Sequence, residues 1–242
     1  MASFPVILFE GGDVPDSLAY RAGKLGAEAY PNVEFLDVAG PRILMAPISC
    51  LGAGFAPDFH GFIEYRATDQ GCPLTQVMVD AVAAGGLCLS ACTASLLACD
   101  PVQVFCATVL RLAPSIDAMM VELALAEAVG NAVIHGNLGL KSDLRHSLAG
   151  LVEFNGRIAE QLRDPTLAAR RVQMTALPYG DNGVEIQVSD DGDGFDVEHE
   201  LGKPLEVGAK SGRGLALIRK VSTHIEGGRG GRTLVMRFLP AG

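Results

Sequence analysis

The sequence predicts an α/β protein in two parts, a small α/β unit followed by a larger unit of long helices and antiparallel hairpins. Three observations carry this prediction. Over about the first 80 residues, short apolar runs alternate with helix-length segments. Residues 121–140, VELALAEAVGNAVIHGNLGL, repeat apolar side chains at the helical spacing of a core element. The last third reads as alternating strands joined by glycine-rich turns. With 242 residues, 49% apolar and 19% charged, the chain can bury a sizeable core.

Residues 5–10 (PVILFE) are a strand-type run closed by Gly11-Gly12. Residues 15–30 suit a helix that starts near Asp13 or Asp16 and ends at Pro31. Strands are expected over 33–38 and 42–48, on either side of Gly40-Pro41, and the glycine-rich stretch 49–61 is loop. Residues 62–67 carry no decisive pattern, and 74–82 read as another strand. Gly85-Gly86 then separates a 1–85 unit from 86–242. Beyond it, 87–93 read as a strand and 101–112 as a helix with proline in its first turn. Ser115 or Asp117 caps the central helix and Gly136 closes it. Residues 142–163 form a second amphipathic helix with a solvated charged face, stopped by Asp164-Pro165. Residues 171–177 and 183–190 make a hairpin through PYGDNG. A short helix over 215–222 leads to a last hairpin of 223–226 and 233–239.

The net charge of −9 argues against nucleic acid or an anionic membrane surface as partner, since both select basic patches. Residues 81–99 hold no charge over 19 positions, long enough for a membrane span. Their glycines, serines and threonine, and the flanking Asp80 and Asp100, favour a buried strand followed by a buried helix instead. The first residues have no basic region or cleavage site of a signal peptide. Six cysteines form no C-x-x-C pair and sit near no histidine at zinc-ligand spacing. Free thiols in a reducing cytoplasm are expected.

Three stretches carry chemistry. In the central helix, Glu127, Asn131 and His135 are four apart and stack on one face, beside an apolar stripe of Val121, Leu125, Val129 and Val133 that Leu123 and Ala126 widen. An asparagine oxygen is a neutral hard ligand suited to Mg²⁺, and a glutamate one turn earlier can accept a proton. The spacing alone fits an ordinary polar helix face equally well. His135 is best read as bonding a loop carbonyl at the helix end. The second stretch is VSDDGDGF (188–195), where a strand ends in Asp190, and Gly192 and Gly194 turn the chain without obstructing a ligand. A carboxylate there can accept from an exocyclic amine; an acidic turn is the alternative. In the third, KSGRGLALI (210–218), Gly212 and Gly214 precede a helix whose free amides can bind phosphate, with Lys210 and Arg213 as further contacts. Its spacing is neither a dinucleotide fingerprint nor a P-loop.

In this order, LAEAVGNAVIHGN, VSDDGDGFD and SGRGLALIRKV resemble the N, G1 and G2 boxes of the Bergerat ATP-binding fold. Within it they are most similar to the bacterial anti-sigma-factor serine/threonine kinases, over about residues 87–238. The resemblance implies an α/β sandwich of the histidine-kinase-like ATPase type that binds ATP with Mg²⁺. It implies Asn131 as metal ligand, Glu127 as general base and Asp190 on the adenine amine. Gly192 and Gly194 would shape the adenine site, Gly212 and Gly214 the phosphate end of a lid, and Thr233 would back the ring. The implied partner is an anti-sigma antagonist or sigma-factor-like protein, with a homodimer left open. Two departures stand out: residues 141–170 are longer than in compact members, and the lid between Phe195 and Gly212 is short. Residues 1–85 look like a receiver domain without a phosphoacceptor, since the relevant strand ends Leu44-Met-Ala-Pro47. The expected function is an Mg-ATP-binding regulator of the kinase type. The alternative is an ATP-dependent binding module or slow ATPase without phosphotransfer.

Overall fold

Apolar runs of four to six residues, buried on both faces, set the first half of the architecture. In the computed structural model, which describes residues 4–32, 39–69, 71–141, 148–202 and 213–240, these runs are β1 (Val6–Phe9), β3 (Arg42–Ala46), β4 (Phe59–Glu64) and β5 (Leu87–Cys92). With the edge strand β2 (Glu28–Pro31) they lie parallel in the order β2-β1-β3-β4-β5. The sheet continues, now antiparallel, through β6 (Arg171–Tyr179), β7 (Gly183–Asp190), β9 (Thr233–Phe238) and β8 (His224–Gly228), nine strands among the described residues. The junction is β5. It pairs parallel with β4, Gly61 opposite Cys88, and antiparallel with β6, Leu89 opposite Met174.

One face of the parallel half is covered by α1 (Asp16–Lys24) and α2 (Gln76–Ala83), whose Leu18, Ala22, Met78 and Val82 pack on Ile7, Ile43, Met45 and Ile63. Strand alternation sends Leu44, Ala46, Phe62 and Leu89 to the opposite face. There they meet α4 (Pro101–Leu112) and α5 (Ala118–Asn131) in one apolar cluster with Met174, Ile186 and Met236 of the antiparallel half. Phe105 of α4 meets Phe55 edge to face, centroids 5.8 Å apart, across the two halves. The glycines at 85–86 lie where β6 passes closely, and a Cβ on Gly86 would overlap the Ala176 carbonyl. One of the two apolar clusters therefore spans both parts of the sequence, while the other, under α1 and α2, belongs to the first part but for Cys88 of β5.

Several expectations need correction. The stretch 74–82 is helical, because Met78, Val79 and Val82 return at helical spacing while Val77 and Asp80 face solvent. The helix over 15–30 stops at Lys24, and the chain turns through Gly26, at φ +75°, into β2. The strand expected over 33–38 lies outside the described residues. Phe59–Glu64, partly inside the expected loop, is strand β4. Asp164 does not only end a helix. After α6 (Leu148–Gln161) it caps a new one, α7 (Pro165–Ala169), by accepting from Thr166 N–H at 2.8 Å. The uncharged run 81–99 holds the end of α2, the buried β5 as expected, and the short α3 (Thr93–Ala98), which is only half buried: Thr93 and Leu96 face inward and Leu97 faces solvent. By length and composition the run Ala118–Asn137 could cross a bilayer, but its apolar stripe packs into the core. The described chain also contains α8 (Val197–Gly202) and α9 (Arg213–Val221). All six cysteines are free; burial pushes Cys88 up to about 12 and Cys106 to about 11, so neither ionises at neutral pH.

Because Phe105 bridges the halves, Phe105→Ala should cost about 3–5 kcal/mol. Urea unfolding followed by circular dichroism should show one transition, shifted as a whole. A separate early or late transition would mean that the two parts hold independent cores.

Candidate functional site

The site is built on α5. Asp117 starts the helix by accepting from the N–H groups of Met119 and Met120 at 2.9 and 3.4 Å, one of the two caps expected. Val121, Leu125, Val129 and Val133 are buried, which leaves Glu127 and Asn131 half-buried on a neighbouring face. Leu123 and Ala126, expected to widen the buried face, are exposed, Leu123 to 38%; Ala124 and Ala128 widen it instead, on the other side of the valine and leucine stripe.

The helix does not end at Gly136. It widens into a π-helical turn, Ala132–Asn137, and is released at Gly139, where φ is +64°. Gly136 is needed inside the turn because a Cβ there would overlap the Asp190 carboxyl group. His135 Nδ1 bonds the Leu140 carbonyl, the expected structural role.

Asp190 closes β7 beside this turn. Its N–H donates to the Arg232 carbonyl at 3.0 Å, and its Oδ1 accepts from Gly192 N–H at 2.8 Å. Burial pushes the Asp190 carboxyl up from its ordinary value, while the Gly192 N–H pulls it back down; Asp191 adds to the rise and Arg170 and Arg232 oppose it. A Cβ on Gly192 would overlap the Gly136 carbonyl, and Gly194, at φ +80°, passes against the Gly230 carbonyl. Thr233 is buried on β9 opposite Ser189, their hydroxyls 2.8 Å apart. Asp190, Gly192, Gly194 and Thr233 thus gather at one end of β7.

The third stretch comes to the first. A Cβ on Gly214 would strike Glu127 Oε2 and come within 3.4 Å of Asn131 Nδ2, so the start of α9 is seated on the Glu127/Asn131 stripe. Arg213 opens α9; Lys210 and Gly212 lie outside the described residues. Gly136 lies five residues beyond Asn131, roughly 7 Å along the helix, which links the two clusters.

Sequence reasoning passed over three residues that fasten the site. Asn137 is fully buried; its Nδ2 donates to Thr93 Oγ1 at 2.9 Å and to the Arg171 carbonyl at 3.1 Å. Its Oδ1 accepts from Asp191 N–H at 2.9 Å. Asp191 in turn accepts from Arg171 N–H at 2.7 Å. The signal was a lone carboxamide inside the apolar run Ile134 to Leu140.

A half-desolvated carboxylate between glycine walls can recognise a flat ring bearing an amine. Among the described residues, no group of three or more His, Cys, Asp or Glu gathers to hold a metal unaided. A half-buried asparagine such as Asn131 carries the kind of neutral oxygen that Mg²⁺ can accept when waters and phosphates complete its shell.

Compared with protein families, residues 93–238 match the histidine kinase-like ATPase domain. The match runs from α3 to the end of β9, more than half the chain, and leaves the parallel strands outside it. Among curated proteins no match is found.

The raised Asp190 carboxyl has a sign that can be checked. Its contribution to stability is fully present below the unfolded value near 3.8 and is lost as pH rises through the higher folded value. Asp190→Asn should therefore raise the melting temperature of the ligand-free protein at pH 7, at roughly 2–4 °C per kcal/mol, with no gain below pH 3.8. A lower melting temperature at pH 7 would contradict this account.

Proposed function

Because the chain belongs to the histidine kinase-like ATPase family, we propose that it binds Mg-ATP against α5, the β7 turn and the start of α9, and phosphorylates a serine or threonine of a protein partner. The observation that supports this most is the seating of Gly214 on Glu127 and Asn131, which brings the phosphate-side helix to the metal-and-base side of the pocket. Asp190 accepts from the adenine amine, with Gly192 and Gly194 leaving room for the ring and Thr233 behind it. Asn131 holds Mg²⁺, which when bound neutralises charge on the phosphates. Lys210, Gly212, Arg213 and Gly214 contact the phosphate chain.

Glu127 takes the proton from the partner's hydroxyl as its oxygen attacks the γ-phosphorus. The bond to the bridging oxygen then breaks, and ADP leaves with the electron pair. The partner is of the anti-sigma antagonist or sigma-factor-like class, in the cytoplasm. The formal charge of −9 disfavours nucleic acid.

One observation favours a second reading, an ATP-controlled binding module without transfer: the start of α9 lies close over Glu127 Oε2, where a Cβ on Gly214 would overlap it.

Calorimetry with ATP, with and without Mg²⁺, should show Mg-dependent binding that Asn131→Ala weakens by about tenfold or more. Glu127→Ala should keep that affinity and lower transfer of labelled γ-phosphate by about 10²–10⁴-fold. Mg-dependent binding with no labelled partner selects the binding module. Indifference to ATP removes both readings.

A further inference from the structure

A buried ionic cluster at the carboxyl ends of β4 and β5 lies outside the nucleotide pocket, yet one residue ties it to that pocket. Arg171, the first residue of β6, has a side chain only 12% exposed. Its Nε donates to Ser90 Oγ at 2.9 Å, and its Nη2 to the carbonyls of Glu64 and Ser90 at 2.8 and 3.0 Å. Its Nη1 lies 3.6 Å from Asp69, which also holds Arg66 at 2.8 Å. Glu64, 1% exposed, is occupied by Cys92 N–H and Ser95 Oγ. All of these anchors except Ser90, Cys92 and Ser95 belong to residues 1–85. The backbone of Arg171 faces the other way: its N–H holds the Asp191 carboxylate and its carbonyl holds Asn137. Asp191 is the chain neighbour of Asp190, and Asn137 follows Gly136, on which Asp190 rests.

We propose that Arg171 is a positioning residue for adenine recognition, rooted by its side chain in the parallel half of the sheet and holding the Asp190–Asp191 turn by its backbone. The proposal rests on Asp190 being the adenine acceptor. A planar guanidinium that makes three hydrogen bonds and an ion pair in a buried setting fixes its own backbone, because any shift leaves several buried polar groups unpaired. The backbone it fixes is the part that clamps Asp191 and Asn137. The parallel half, outside the family match, thereby sets how firmly the pocket reads its base.

The test uses the full chain with Arg171→Met and two readouts. In the ligand-free protein, amide exchange at Asp191 and Gly192 should quicken by about tenfold or more, while Val188 and Leu234 in β7 and β9 stay within about twofold. Affinity for ATP should fall by about tenfold or more, while affinity for inosine triphosphate, whose base carries a carbonyl in place of the amine, stays within about twofold. Should Arg171→Met not fold, Asp69→Asn carries the same prediction at about threefold, because from Arg171 it withdraws the ion pair and leaves the three hydrogen bonds, while also weakening the hold on Arg66. An unchanged ratio of the two affinities with unchanged exchange overturns the proposal, as does equal loss of both nucleotides. A wild-type protein that binds the two nucleotides alike overturns the Asp190 reading instead. Faster exchange in the variant would then still separate that failure from a failure of Arg171 to hold the turn.

Discussion

The structure depends on β5, a strand paired in parallel on one edge and antiparallel on the other. Such a strand has no free edge and no wet face, and all six of its residues are buried. That requirement explains the charge-free stretch around it, since any charge there would need a buried partner. It also explains why α4 and α5 cover strands from both halves: the faces of β4, β5 and β6 form one surface. Phe105 and Phe55 follow from the same constraint, as two rings from distant sequence filling one layer.

Upon this sheet, the pocket hangs on one irregularity. Widening the end of α5 into a π-turn brings Gly136 under Asp190 and buries Asn137 at the DDGDG turn. A regular helix end at Gly136 would leave the Asp191 amide and the Asp190 carboxylate without these neighbours. The irregular turn is thus the point where helix geometry and carboxylate placement are matched, as expected when π-turns lie at functional sites.

Much of this was legible in the sequence where the signal is local. The cap at Asp117, the helix over 101–112, the hairpin of β6 and β7, and the structural role of His135 all follow from neighbours within a few residues. The three motifs stood out, and the family match covers all of them, because glycines and carboxylates there break local pattern. Where partners lie far off in sequence, the reading failed. Residues 74–82 carry β-branched side chains that suit either period, and the face of α2 against Ile63 and Ile43 decided for helix. Gly136 looked like a terminator because nothing local shows that Asp190 needs its missing side chain. Arg171 looked like a strand's first polar residue, since its partners Glu64 and Ser90 stand 107 and 81 positions earlier.

The seam at β5 also imposes an order of assembly during synthesis. Strands β1 to β4 emerge first, with Leu44, Ala46 and Phe62 bare until α4 follows. Arg171 is made 102 residues after Asp69 (171 − 69), which at 5–20 residues per second is roughly 5–20 s later. Until then Asp69 has Arg66, three residues away, as its ion-pair partner, and Glu64 has Cys92 and Ser95, made about 30 residues after it, so charge flanks the apolar end of β4 while the sheet is still incomplete. The arrival of Arg171 completes the buried cluster and joins the antiparallel half to the parallel one, with β7, β8 and β9 still to be added.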